Sequence, residues 1–110
     1  MDTVFKERQL FVYPIMVACV NSSGVKTDPD SAQARVYKAS ESDGSLTEIS
    51  GSPFAMTKQD ERIGFYAYML GLAALEPGAY VVLKELTIAG TATHDLEGFF
   101  LTSGRKWYRI

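Results

Sequence analysis

The sequence predicts an all-β protein, an antiparallel two-sheet sandwich of about seven strands. Three observations carry this expectation. Gly64 to Val82 reads as two aromatic, partly β-branched strands joined through the corner Glu76-Pro77-Gly78. Elsewhere apolar residues alternate at period two in short runs, as in Phe54 and Met56 or Tyr80 and Val82. Polar turn signals such as Asp43-Gly44 and Ala89-Gly90 separate those runs. A fold of this kind commits its aromatics to a core and leaves few polar side chains grouped for chemistry.

The elements follow in order. Leu10 to Val20 is apolar on both alternating faces, a buried strand in which Pro14 implies an edge position or a break. Asn21 to Gly24 ends it, and Val25 to Asp30 reads as a loop. Ala32 to Ala39 returns to a strand, with Ala34 and Val36 facing one way and Arg35 and Tyr37 the other. Asp43-Gly44 is the expected positive-φ pair of a hairpin between Tyr37 and Ile49. After Gly51 to Pro53, the residues Phe54 to Lys58 form a short strand, and Lys58 to Arg62 is a charged, solvated loop.

Gly64 to Leu70 places Phe65, Ala67 and Met69 on one face and Tyr66, Tyr68 and Leu70 on the other. Ile63 to Leu75 is also compatible with a buried helix, since Ala and Leu dominate its second half. From Tyr80 onward, Tyr80, Val82, Leu86 and Ile88 form one apolar stripe broken only by Lys84. Ala89-Gly90 turns the chain, and Thr91 to Ser103 returns antiparallel. Its apolar phase shifts between Leu96 and Phe99, which a β-bulge at Gly98 would explain. These elements place Tyr80 and Val82 in the central core, together with Tyr66 or Tyr68.

Composition bounds the function. At 110 residues the chain matches one domain, residues 1–110, long enough for a core without disulfides or metals. With 11 Lys and Arg against 13 Asp and Glu, it has no field for gripping a phosphate backbone, so nucleic acid is not an expected partner. Residues 10 to 20 fall short of the ~20 apolar residues of a spanning helix. Met1 to Arg8 mixes acids and bases, unlike the basic leader of an exported protein. The expectation is therefore a chain made in the cytoplasm, with no membrane partner. Asn21-Ser22-Ser23 matches the glycosylation acceptor pattern, which by itself is a common chance match.

The pattern Gly64-x-Tyr66-x-Tyr68, then Pro77-Gly78-x-Tyr80-x-Val82, then Gly90 and Phe99-Phe100-Leu101 resembles the second half of bacterial and phage immunoglobulin-like modules. Ala34 to Lys38 and Ile49 to Lys58 also look like the modules of phage tail, neck and baseplate proteins. The resemblance covers residues 32 to 103. It implies an immunoglobulin-like sandwich serving as a structural or protein-interaction module of a virion or related surface assembly, without enzymatic activity. Its motifs encode turns and core packing and carry over no catalytic residue.

Few residues offer chemistry. Cys19 and His94, the sole cysteine and sole histidine, are the raw material of a thiol hydrolase, but no local nucleophile motif supports one. A buried structural thiol and an ordinary strand histidine are the simpler reading. Asp28, Asp30 and Asp43 lack the spacing of a calcium loop and read as turn formers. No phosphate-binding glycine motif is present, and no cofactor or metal is expected. The remaining candidate is the segment Arg105, Lys106, Trp107, Tyr108 and Arg109, three cations around two large aromatics of the types that dominate binding hot spots. Either it faces a protein partner, a further copy of the chain included, or Trp107 caps the core as a last strand with Arg105 and Lys106 exposed. A small-ligand or carbohydrate-binding sandwich using Trp107 and tyrosines as stacking platforms is the alternative function.

Overall fold

The computed structural model describes residues 12–110, and none of these is helical. Among the described residues nine strands follow one another: β1 (Val12–Ala18), β2 (Ser31–Ala39), β3 (Leu46–Glu48), β4 (Phe54–Ala55), β5 (Thr57–Lys58), β6 (Phe65–Gly71), β7 (Gly78–Ile88), β8 (Thr91–Leu101) and β9 (Trp107–Arg109). They form two antiparallel sheets. The smaller has the order β1-β6-β5, and the larger β3-β2-β7-β8-β9 with β4 also beside β2. Leu10 and Phe11, placed in the first strand by periodicity, lie outside the described residues.

The helix alternative over Ile63 to Leu75 is not adopted. Residues 65 to 71 instead form the central strand of the smaller sheet, paired with β1 on one side and β5 on the other. Tyr66 and Tyr68 favour that state, and the ladder satisfies backbone groups on both edges. The short strand over Phe54 to Lys58 divides in two. Phe54 and Ala55 pair with the larger sheet, Thr57 and Lys58 with the smaller, and buried Met56 marks the crossing. A strand that changes sheets in this way closes one side of a sandwich.

Alternation in β7 is complete through Leu86. Tyr80, Val82, Lys84 and Leu86 face inward, so Lys84 does not interrupt the buried stripe but belongs to it, 6% exposed. Its Nζ donates to the Met16 carbonyl at 2.7 Å and lies 2.5 Å from Glu97 Oε1. The Tyr13 hydroxyl donates to the other oxygen of Glu97. Lysine, glutamate and tyrosine thus join the two sheets, and no buried side-chain polar atom among the described residues lacks a partner. The proposed bulge at Gly98 is absent, because β7 and β8 pair without a break from Gly78↔Leu101 to Ile88↔Thr91. The apolar phase changes for a different reason: the inward position between Leu96 and Phe99 is held by Glu97, the counter-ion of Lys84.

Around this network lies an aromatic core. The Tyr13 ring stacks on Phe99 at 4.2 Å, Phe99 on Tyr80 at 5.1 Å, and Trp107 meets Tyr13 edge-on at 4.7 Å. Ile15, Val36, Leu72, Val82 and Leu101 fill the remainder without solvent exposure. Tyr66 and Tyr68 pack against its margin, Tyr68 stacked on Phe54. Each fully buried large side chain contributes about 1.5–3 kcal/mol relative to exposure.

The turns follow from their residues. Ala89 and Gly90 both have positive φ, 50° and 80°, the geometry of a type I′ hairpin. In the β2–β3 connection only Gly44 does (φ 73°), so Asp43 is not the other half of a positive-φ pair. It acts instead through its side chain, accepting from the Ser45 N–H at 3.0 Å. At the Pro77-Gly78 corner the Tyr80 hydroxyl donates to the Glu76 carbonyl at 2.5 Å and ties the start of β7 to the approaching chain.

Candidate protein-interaction surface

The terminal segment is split by strand alternation. Trp107 turns inward, and its indole N–H donates to the Val12 carbonyl at 3.0 Å. Arg109 lies over the Tyr13 and Trp107 rings, 5.5 and 5.8 Å from their centroids. Arg105 is half-buried rather than exposed, and its guanidinium donates to the carbonyls of Leu75 and Leu72. Lys106 is exposed. Tyr108 faces the opposite way from Trp107, directly beside Phe100, on the outer face of the larger sheet.

That outer face has two unlike halves. Over β2 and β3, Arg35 bridges Glu85 at 2.7 Å and Glu48 at 3.3 Å, and Gln33 donates to Glu85 at 2.8 Å. The Gln33 amide first, then Arg35, hold the Glu85 carboxyl below its usual range. Over β8 from Leu96 to Phe100 and over β9 the face is apolar. Leu96 is 66% exposed, Phe100 45%, Tyr108 57% and Ile110 82%. Leu83 pairs directly with Leu96, and Ile110 lies over Gly98, whose missing side chain leaves the room. Large apolar side chains grouped on one solvent-facing half mark an interaction surface more often than scattered ones do.

Beside this patch the edge of β8 is open among the described residues. Only Phe99 to Leu101 pair with β9, and Gly98 accepts from the Ile110 N–H at 3.0 Å. In an antiparallel strand alternate residues turn their N–H and C=O to opposite edges, so Leu96, His94 and Ala92 point outward as Gly98 does. Among the described residues none of these outward groups has a partner.

Other edges are blunted. β3 and β9 have three residues each and β5 two. On β1 the even residues face outward, because Cys19 donates inward to Gly64. There Trp107 takes the Val12 carbonyl, Pro14 has no N–H, and Lys84 takes the Met16 carbonyl. Short strands, proline and satisfied groups are the usual protections of a sheet edge. Among the described residues, β8 between Thr91 and Leu96 has none of them.

Residues singled out for chemistry are not brought together. Cys19 is buried at the end of β1, and burial first, then the charge of Asp28, pushes its thiol up, away from the reactive thiolate. His94 projects from the outer face of the larger sheet, 3.7 Å from Glu85. The three loop aspartates serve separate backbone segments: Asp28 accepts from Gly64, Asp30 from Gly90 and Asp43 from Ser45. Among the described residues no three His, Cys, Asp or Glu side chains converge as a metal site. The Asn21 side chain accepts from the N–H groups of Ser23 and Val25, which accounts for an asparagine there as a turn former.

Sequence reasoning reached Tyr108 but missed Leu96, Phe100, Ile110 and the open edge. Leu96, out of phase with Phe99 and Leu101, was the visible signal. Compared with known proteins, the chain matches no family model, no curated protein and no solved structure.

Proposed function

We propose that this chain is a non-enzymatic protein-interaction module of immunoglobulin-like build, a structural part of an assembly such as a phage particle. One observation carries the reading: the edge of β8, unpaired among the described residues from Thr91 to Leu96, adjoins the exposed apolar cluster of Leu96, Phe100, Tyr108 and Ile110. Unpaired N–H and C=O groups recruit a further strand, and neighbouring apolar side chains add area and specificity.

The immunoglobulin-like part has its own support. If β1 is equated with strand B, the smaller sheet has the order B-E-D and the larger C′-C-F-G, with β9 added beyond G. The Tyr80 to Glu76 hydrogen bond at the start of the strand equated with F matches the tyrosine corner of that fold. The assembly itself is suggested by the resemblance of residues 32 to 103 to modules of phage tail, neck and baseplate proteins. A carbohydrate platform has less support, since Trp107 commits its N–H to Val12 and its ring to Tyr13 and Arg109.

A photo-crosslinking residue placed at position 96 or 108, with position 42 in the β2–β3 loop as control, tests the reading in cells that make the chain. Protein adducts from 96 and 108 but not from 42 are the expected result. Equal yields from all three, or none, would overturn it.

A further inference from the structure

We infer that the open stretch of β8 pairs with the same stretch of a second copy of this chain, antiparallel about a two-fold axis at His94. This rests on the interaction-module reading and names its partner. The outward groups belong to Ala92, His94 and Leu96, three alternate residues symmetric about His94. With the axis there, Ala92 meets Leu96 of the second copy, His94 meets its own equivalent, and Leu96 meets Ala92. Each of these is a pair that exchanges both N–H···O bonds, so every outward group of the stretch finds a partner.

No neighbouring register does the same. A shift of two residues one way sets Ala92 opposite Gly98, whose carbonyl already accepts from Ile110. The other way sets Leu96 opposite Gly90, which is in the turn and donates to Asp30 at 3.0 Å. A shift of one residue brings outward groups opposite inward ones. The gap is therefore bounded by the Ala89-Gly90 turn at one end and Ile110 at the other, and one identical strand fills it.

Side chains agree with the register. On the outer face Ala92 lies opposite Leu96 of the second copy, extending the apolar cluster of Leu83, Leu96 and Ile110 across the axis. On the other face Thr93 lies opposite Asp95 of the second copy, a hydroxyl donor beside a carboxylate acceptor. The interface is self-complementary, as a two-fold contact requires.

Light scattering over a concentration series gives the mass. His94→Pro removes one outward N–H and leaves the groups facing β7 in place, so it suits an edge. The wild type is expected to dimerise with rising concentration, and His94→Pro to weaken the dimer at least tenfold with an unchanged circular dichroism spectrum.

Register is tested separately in a Cys19→Ala background. Across the axis, position 94 faces itself at about 5.5 Å between Cα atoms, within disulfide reach, whereas position 93 is more than ~7 Å from its equivalent. Under mild oxidation His94→Cys should form a covalent dimer at least tenfold faster than Thr93→Cys. If His94→Pro does not fold, this pair decides. Equal oxidation rates, or a wild type that stays monomeric to about 1 mM, would overturn the second copy as partner. Adducts from position 96 to a different protein would then leave the interaction module standing, and no protein adduct at all would end both readings.

Discussion

Lys84 Nζ sits 2.5 Å from Glu97 Oε1 between the two sheets, an ion pair inside what is otherwise an apolar and aromatic core. Taking both charges out of water is expensive, and their mutual attraction offsets this only while both are present. Lys84→Met should therefore destabilise the protein by about 3–5 kcal/mol, because Glu97 is left without its cation. The triple variant Lys84→Met/Glu97→Leu/Tyr13→Phe, which also removes the buried hydroxyl that would lose its acceptor, should recover most of that loss. Urea midpoints of the two variants check this, and a triple variant as unstable as the single one would count against it.

Alkaline pH should also loosen the core. Burial first, then its bond to Glu97, pushes the Tyr13 phenol well above its ordinary value, and burial likewise raises Tyr80. Both tyrosines hold their protons in the folded protein beyond the point where the unfolded chain releases them. Their contribution is complete below about pH 10 and declines above it. Lys58, raised by its bond to Asp28, changes stability in the same direction. Tyr13→Phe should give a shallower fall of the urea midpoint between pH 9 and 11 (about one unit either side of the tyrosine value) than the wild type shows.

Gly64 should tolerate no side chain. Its φ is +79°, and an added Cβ would stand 2.6 Å from the Cys19 carbonyl, a backbone atom with little room to move. Left-handed strain of about 1–2 kcal/mol and overpacking of about 1–3 kcal/mol combine to a loss of roughly 2–5 kcal/mol for Gly64→Ala. By contrast, Gly24 faces open space, and Gly24→Ala should show only the strain component. Thermal melts of the two variants separate the effects.

Deleting residues 105–110 should lower stability by several kcal/mol rather than leave it unchanged. The deletion removes β9, the Trp107 contact with Tyr13 and the Arg105 bonds to the loop carbonyls of Leu72 and Leu75. Losing a large, well-packed aromatic alone costs about 3–5 kcal/mol when it is fully buried, and somewhat less for the half-buried Trp107. An unchanged urea midpoint would show that β9 is dispensable.

Period-two patterning was enough to locate β2, β7 and β8 and to place Tyr80 and Val82 in the core, because half-buried strands must alternate, whereas over β6 it left a buried helix open. It failed where a polar residue occupies an apolar position. Lys84 looked like an interruption, and the phase shift between Leu96 and Phe99 like a bulge at Gly98, since only the fold shows that Lys84 and Glu97 are partners. Phe54 to Lys58 has one alternation but two sheets, which no local pattern distinguishes. The interaction surface was the least legible part. An open edge is a property of neighbouring strands, and nothing in Ala92, His94 or Leu96 by itself shows that β9 stops short of them.

Residue-resolved hydrogen exchange is the most direct measurement of that edge. In dilute solution the outward amides of Ala92, His94 and Leu96 should exchange quickly, while the intervening amides of Thr93 and Asp95, bonded to β7, exchange slowly. As the protein associates, the outward amides should become protected and the alternation should fade. Association that leaves Ala92, His94 and Leu96 exchanging as fast as before would contradict the account.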